Sequence, residues 1–238
     1  MKGWEIVSHY THGLLAGKIA MQLRHDLRPG FWEDVLTAII EHDDHLLDFA
    51  EKNYLTDAGT PLDFTLDERS LEDAHQHAEM VYEDSLQKSH MVALMVGRHL
   101  EFLHGCDTNE LLSFKNFFTM VKKRRKQQLK LYGWTKQQLE EAYDVMRFCD
   151  RCSLMICQGS IPPAGRKLEV NKTINDRCYY VYYKNDEVVL DPWPFEKDSF
   201  TLHYEKKLLE KGSFENNPEL ASEIEKAPPQ LVSIPFAK

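Results

Sequence analysis

Six residues in this chain pair the chemistry of metal ligands with positions where polar side chains are costly: His12, His42, Asp43, His75, His99 and Asp150. On a helix, positions i, i+3, i+4 and i+7 share one face. His42 aligns in this way with Val35, Ile39, Leu46 and Phe49, and Asp43 with Leu36, Ile40, Leu47 and Ala50. His12 shares a stripe with Leu15, Ala16, Ile19 and Leu23, His75 with Leu71, Ala74, Ala78 and Tyr82, and His99 with Val92, Met95, Val96, Phe102 and Leu103. Asp150 falls among Leu139, Tyr143, Met146, Leu154 and Cys157. A carboxylate buried there without a partner protonates or destabilises the fold. One inward histidine is more often a hydrogen-bonded core residue than a ligand. Five helices that each turn a His or Asp inward leave several buried polar groups in need of partners, and one or two cations satisfy them together. Four imidazoles and two carboxylates suit iron, manganese, zinc, cobalt or nickel better than calcium or magnesium alone. Two positions stay open, because a small error of helical face exchanges His75 with His77 and His99 with His104.

The elements that must carry these residues are helical over about the first 158 residues, with helices at roughly 10–25, 31–51, 71–87, 90–104, 109–132 and 136–158. Ser70 and Thr108 are expected N-caps, and Thr135 with Gln138 forms a capping box. Gly105, Gly133 and Gly159 stand where helices end, since a left-handed closing residue costs glycine little. The segment from Asn53 to Arg69 is too long for a simple connector. It reads equally as a binding loop that brings Asp63 and Phe64 to the site, or as a surface crossover with Phe64 in the core. After Ile161-Pro162-Pro163 the pattern turns strand-rich. Cys178–Tyr183 and Glu187–Leu190 flank the hairpin turn Lys184-Asn185-Asp186, Phe200–Tyr204 and Leu231–Phe236 are further strands, and Pro218–Lys226 is a short helix. The expected fold is therefore mainly α: a helical bundle over about residues 1–160, with a small antiparallel β appendage over about 161–238 packed on it through Trp193 and Phe195 as one structural unit.

Composition narrows the class. A net charge of −9 argues against a nucleic-acid partner held by the overall field, while a small anionic molecule remains compatible. No stretch approaches the roughly 18 apolar residues of a membrane span, and the N-terminus lacks a secretory pattern, so a cytoplasmic protein without a membrane partner is expected. Five cysteines without framework spacing predict reduced thiols, and Cys149-x-x-Cys152, lacking a second pair, reads as helix packing. The basic run Lys122-Lys123-Arg124-Arg125-Lys126 lies inside a long polar helix and reads as a solvated face. Oligomeric state has no signature in the sequence.

An N-terminal His, a His-Asp pair on a second helix, further histidines and a lone Asp on a late helix together resemble the HD superfamily of metal-dependent phosphohydrolases. The order here is His12, His42-Asp43, His75, His99, Asp150. The chain is more closely similar to a bacterial family of uncharacterised HD-like proteins. That likeness covers most of the chain and rests on His12-Gly13-Leu14-Leu15-Ala16-Gly17, His42-Asp43-Asp44, the Asp63-Phe64 loop, the Asp150 segment running into Ser153-Leu154, and Pro192-Trp193-Pro194-Phe195. It departs where that family carries Gly-Trp after His-Asp-Asp, since this chain has His45-Leu46. The superfamily resemblance implies an HD-like helical bundle, with one metal at His12, His42 and Asp150, another at His75 and His99, and Asp43 bridging them. It implies hydrolysis of a small phosphorylated metabolite or nucleotide by a metal-activated water. Asp44 and His45 are then candidates to move the proton, and Lys18 and Arg98 to counter phosphate charge. Two other readings accompany it: a di-iron oxygenase on the same ligands, and a non-catalytic metal-binding or sensor protein. Neither the superfamily nor the closer family names a substrate for this chain.

Overall fold

A computed structural model describes residues 3–44, 53–63, 70–105 and 111–238. Strand β1 (Trp4–Ile6) leads into α1 (His9–Gln22), and a single 3-10 turn precedes α2 (Trp32–Glu41). Helices α3 (Leu71–Lys88), α4 (His90–His104), α5 (Leu112–Tyr132) and α6 (Lys136–Cys157) complete the helical layer. Strands β2 (Leu168–Ile174), β3 (Arg177–Lys184), β4 (Glu187–Asp191) and β5 (Ser199–Leu209) follow, then α7 (Asn217–Lys226) and β6 (Pro229–Ala237).

The strands form one six-stranded sheet in the order β1-β5-β6-β4-β3-β2. This overturns the expectation of a small antiparallel appendage. Helix accounts for 53% of the chain and strand for 21%, so the sheet is a layer in its own right. It is also mixed: β4 and β6 run parallel at Val188 and Phe236, while the other pairs are antiparallel. Nor is it built only from the C-terminal part, because β1 pairs with the far end of β5, Trp4 opposite Leu209. Periodicity failed here for a physical reason. Trp4-Glu5-Ile6 is too short to show alternation, and the ladder of β2 shifts register twice, between Glu169 and Asn171 and between Asn171 and Ile174. The hairpin between β3 and β4 takes the turn that its residues favour: Asn185 and Asp186 both have positive φ, 53° and 62°.

One buried core runs from the helices into the sheet, taking in Leu15, Ile19, Met95 and Phe148 as well as Val181, Val188 and Phe236. Phe148 of α6 meets Tyr179 of β3 edge to face, with ring centroids 5.2 Å apart. The Trp193–Phe195 segment clamps the two layers at the end of α1. Glu196 N–H donates to the Gln22 carbonyl at 2.9 Å, Arg24 N–H donates to the Pro194 carbonyl at 3.0 Å, and buried Phe195 packs on Phe200 and Phe236. Cys149 and Cys152 are free thiols buried in α6, where burial pushes both thiols above their ordinary pKa, so they pack rather than react.

Helix ends mostly follow the expected caps. Ser70 accepts from Asp73 N–H and the Thr135–Gln138 box is closed from both sides, while Ser8, which the sequence reading did not mark, caps α1 by accepting from Thr11 N–H. Gly133 and Gly159 take left-handed φ values of 66° and 62°. Gly105 does not: it ends α4 in right-handed geometry, φ −63°. Thr108 lies outside the described residues, and α5 begins after Leu111 without a side-chain cap.

The decisive contact for the site is α1 against α2. A Cβ built on Gly13 would stand 2.2 Å from the Ile40 carbonyl oxygen, and one on Gly17 would stand 2.4 Å from Ile40 Cγ1. Backbone cannot yield as a flexible side chain can, so Gly13→Ala is expected to destabilise by about 1–3 kcal/mol through overpacking. That corresponds to a fall of several degrees in melting temperature, about 2–4 °C per kcal/mol at this size. Gly17→Ala, which meets the Ile40 side chain rather than backbone, is expected to cost less. Thermal unfolding of both variants checks the order.

Candidate metal centre

Four elements bring their polar residues to one point. Helix α1 supplies His9 and His12 from its first turn, α4 supplies His99, and α6 supplies Asp150 with Tyr143 about two turns before it and Ser153 about one turn after. His42 and Asp43 arrive differently from expectation. Helix α2 closes at Glu41, so the pair stands in the turn that follows rather than mid-helix, with Asp44 N–H donating to the Glu41 carbonyl at 3.2 Å. Leu46, Leu47, Phe49 and Ala50, which completed the expected stripes, lie outside the described residues.

The Nε2 atoms of His12 and His42 stand 3.4 Å apart. Asp150 Oδ1 is 3.2 Å from the first and 3.3 Å from the second, and Asp43 Oδ2 is 3.7 Å and 3.5 Å from them. Each ring is fixed from behind. His42 Nδ1 lies 2.8 Å from the Ile39 carbonyl, which can only accept, so Nδ1 carries a proton. Ser153 donates its hydroxyl proton to the Asp150 carbonyl at 2.8 Å and therefore accepts from His12 Nδ1–H at 2.7 Å. In its neutral form each ring would therefore turn a bare Nε2 lone pair toward the other and toward two carboxylates. Oxygen and nitrogen lone pairs at these distances repel unless a cation sits among them. Backing a ligating imidazole with an acceptor on its other nitrogen is how proteins orient metal-binding histidines.

Without a metal, the cation is a proton. Burial opposes charge on His42, but Asp43 and then Asp150 outweigh it and carry its pKa up to about 10. Burial also opposes charge on the two carboxylates. Asp43 is nonetheless held well below its ordinary value by His42 and His9, and Asp150 is lowered by the His12 and His42 rings against it. His99 moves the other way, since burial and the charge on His42 push it down to about 4 and keep it neutral. Its Nε2 is 3.9 Å from Asp43 Oδ1, and its Nδ1 is 3.3 Å from the Tyr143 hydroxyl. The histidines are almost fully buried, whereas Asp43 and Asp150 keep 20% and 18% of their side chains exposed, so the carboxylates mark the open side.

Other expected residues stand elsewhere. His75 is not brought to this point: α3 turns it to Glu79, 3.2 Å away, and to the rings of Phe114 and Phe117 on α5. Its neighbour His77 instead reaches the Asp44 carbonyl, with Nε2 at 3.1 Å. His104 packs on Phe114, which leaves His99 as the histidine of α4 at the cluster. Arg98 is committed to a two-pronged pair with Glu140 at 2.8–3.1 Å and stacks over Tyr143, so it braces the wall behind His99 rather than facing a ligand. Lys18 donates to the His203 carbonyl at 2.7 Å, tying α1 to β5. Arg147 lies over Phe102, 4.2 Å from the ring centroid. His45 and Phe64 fall outside the described residues.

Asp63 lines a cleft of about 400 Å³ that opens beside His9 and His12 and is walled by the end of α6 and by Tyr204 of β5. His9 was missed by sequence reasoning. Its Nδ1 is 3.7 Å from Asp43 Oδ2, and the signal for it was its i, i+3 spacing from His12. Ser153, which fixes the His12 tautomer, stood out in the sequence only as part of the Asp150 segment of the family resemblance, with nothing to pair it with His12.

A family model described as protein of unknown function (DUF3891) matches residues 1–211. The chain belongs to this family. No curated protein and no solved structure matches it. Family membership therefore carries no activity, and the chemistry rests on the geometry. Among the described residues, His12, His42 and Asp43 are the group whose ligand atoms all lie within 4.8 Å of one another. Asp150 joins through both histidines.

Because a metal displaces the proton held by His42, affinity is expected to rise with pH, about tenfold per unit between pH 7 and 9, and to level off near pH 10. The sign for the metal-free fold is opposite. A raised histidine pKa contributes stability that is full below about pH 6.5 and lost as pH rises through about 10. Titration against a competing chelator at several pH values checks the first, and thermal unfolding in chelator the second. Ser153→Ala, which removes only the acceptor behind His12, is expected to weaken metal binding by about 10–100-fold with the fold retained.

Proposed function

We propose that this protein is a metal-dependent hydrolase acting on a small phosphate ester at the His12, His42, Asp43 and Asp150 cluster. The observation that carries the reading is the pair of bare Nε2 atoms facing two carboxylates at 3.2–3.7 Å, with both Nδ1 protons already engaged. The donor set is nitrogen and carboxylate oxygen, which fits iron, manganese, zinc, cobalt or nickel. The order His12, His42-Asp43, Asp150 resembles the HD phosphohydrolase pattern and supports the same chemistry.

A divalent ion at this cluster supplies Lewis acidity, which acidifies water and polarises a phosphoryl oxygen. The chain does the rest. Ser153 and the Ile39 carbonyl hold the two imidazoles with Nε2 forward, so no proton competes at the ligating atoms once His42 is deprotonated. Asp43 and Asp150 neutralise the ion's charge and keep one edge open toward solvent. His9, on the cleft side of Asp43 and only partly buried, is the residue placed to take up or release a proton there, in the role that the sequence suggested for Asp44 or His45. A di-iron oxygenase would need a second ligand set, and His75, expected to provide it, lies against Phe114 and Phe117.

Protein purified without chelator is expected to contain about one transition-metal ion per chain, as the ligand count of one site implies. It is expected to release phosphate from monoesters in a library screened with manganese, iron, zinc, cobalt and nickel. His12→Ala and Asp43→Ala lose both properties. His9→Gln keeps the metal and loses most of the turnover. Metal bound with a raised melting temperature but no turnover of any ester would reduce the reading to a structural or sensing site.

A further inference from the structure

We propose that His99 is a positioning residue of the metal centre and not one of its ligands: it turns Nε2–H toward Asp43 and holds that carboxylate with its other oxygen facing the ion. The inference rests on the metal-dependent reading above and deepens it by separating the rings that bind from the ring that supports. The three imidazoles of His12, His42 and His99 are all almost fully buried and differ in what stands behind them. His12 and His42 set Nδ1 against groups that accept, the Ser153 hydroxyl at 2.7 Å and the Ile39 carbonyl at 2.8 Å. His99 sets Nδ1 3.3 Å from the Tyr143 hydroxyl, which carries a proton of its own. Among the described residues, His99 Nδ1 is the one hydrogen-bond partner of that hydroxyl, and Tyr143 is 1% exposed. A phenolic proton turned elsewhere would be a buried donor without an acceptor. Tyr143 therefore donates and Nδ1 accepts. The ring proton then sits on Nε2, the reverse of the neutral tautomer set for His12 and His42.

The other side of the ring selects the same tautomer. His99 Nε2 lies 3.9 Å from Asp43 Oδ1. A lone pair there would be repelled by the carboxylate, and an N–H is attracted to it. At this distance the attraction is electrostatic and not a full hydrogen bond. It divides the work of Asp43. Oδ1 is drawn toward α4, while Oδ2 stands 3.5–3.7 Å from the nearest nitrogens of His9, His12 and His42. The phenol that sets the tautomer is held in turn: the Arg98 guanidinium lies 4.4 Å from the Tyr143 ring centroid, and Glu140 grips Arg98 at 2.8 Å. His75, expected with His99 at a second ion, lies against Phe114 and Phe117. With Nε2 of His99 carrying a proton, neither of that pair is set to ligate.

The test reads the tautomers directly, from two-bond nitrogen–proton correlation spectra of the full chain with labelled histidine, first in chelator and then with added zinc, which is diamagnetic. His99 is expected in the Nε2–H form in both spectra, with His12 and His42 in the Nδ1–H form once zinc is bound. A zinc-bound His99 Nε2, or His99 in the Nδ1–H form, overturns the proposal. Two variants separate a donor from a ligand. His99→Gln keeps an N–H to set against Asp43 and is expected to retain zinc affinity within about threefold, whereas His99→Leu removes the donor and is expected to weaken it about 10–100-fold, the scale for losing the partner behind a ligand. Loss of zinc by both variants, as in His12→Ala, makes His99 a ligand and overturns the proposal, and so does wild-type affinity in His99→Leu. Where a variant fails to fold, the wild-type spectra decide. The two readings fail separately. Zinc bound with His99 in the Nδ1–H form overturns the role of His99 and leaves the hydrolase standing. Zinc bound with His99 in the Nε2–H form, and no phosphate ester turned over, supports that role and overturns the hydrolase.

Discussion

The structure depends on keeping lone pairs in contact that repel one another. His12 and His42 bring their Nε2 atoms 3.4 Å apart, with Asp150 and Asp43 beside both and the two rings almost fully buried. Water reaches this cluster only along the partly exposed edges of the carboxylates, so much of the charge balance has to come from a cation among the buried groups. The protonated His42 supplies it in the metal-free chain, and the high pKa of that ring measures how strongly the carboxylates demand it. A divalent ion meets the same demand with more charge and more ligand bonds. Under the proposed function, proton and metal compete for one place in the electrostatics of the fold.

Much of the packing can be understood as holding that arrangement against its own repulsion. Gly13 lets the first turns of α1 lie on the carbonyl of Ile40, two residues before His42, and any larger side chain would push the two ligating helix ends apart. The Ile39 carbonyl and Ser153 then remove rotational freedom from the two rings at the cost of two hydrogen bonds that the backbone and a hydroxyl supply. Behind His99, the Tyr143 ring is stacked by Arg98, which Glu140 holds in place. Ser153, Ile39 and Tyr143 are buried, and the bracing reaches the surface only at Arg98 and Glu140.

The sheet gives the site its approach. Tyr204 of β5 and Glu5 of β1 face the end of α6 across the cleft, so the space in front of His9 exists only because the strands pack on the helices there. The clamp of Trp193 to Glu196 on the end of α1 and the shared core through Phe148, Tyr179 and Phe195 hold that wall in register with the ligands. A helical bundle alone would present the same carboxylates to open solvent.

By itself, the sequence determined the elements whose periodicity is long and whose ends are chemically marked. Helices α3, α4 and α6, the Thr135–Gln138 box and the Asn185-Asp186 turn are local matters, settled by side chains within a few residues of one another. It also marked His12, His42, Asp43, His99 and Asp150, because a polar group on an apolar stripe is costly wherever the helices finally go. Only the tertiary structure decided what distance in sequence conceals. His75 looked equivalent to His99 on its own helix, yet the crossing of α3 with α5 turned it toward Phe114. His9 looked like a surface residue until the turn after α2 set Asp43 beside it. The N-terminal strand, the parallel pairing of β4 with β6 and the six-stranded extent of the sheet depend on partners up to about 200 residues away, for which no local pattern codes. The members of the His/Asp cluster were legible because each is a polar side chain set against its own helix face, and the cleft was not, because a cavity is made by surfaces that meet only after folding.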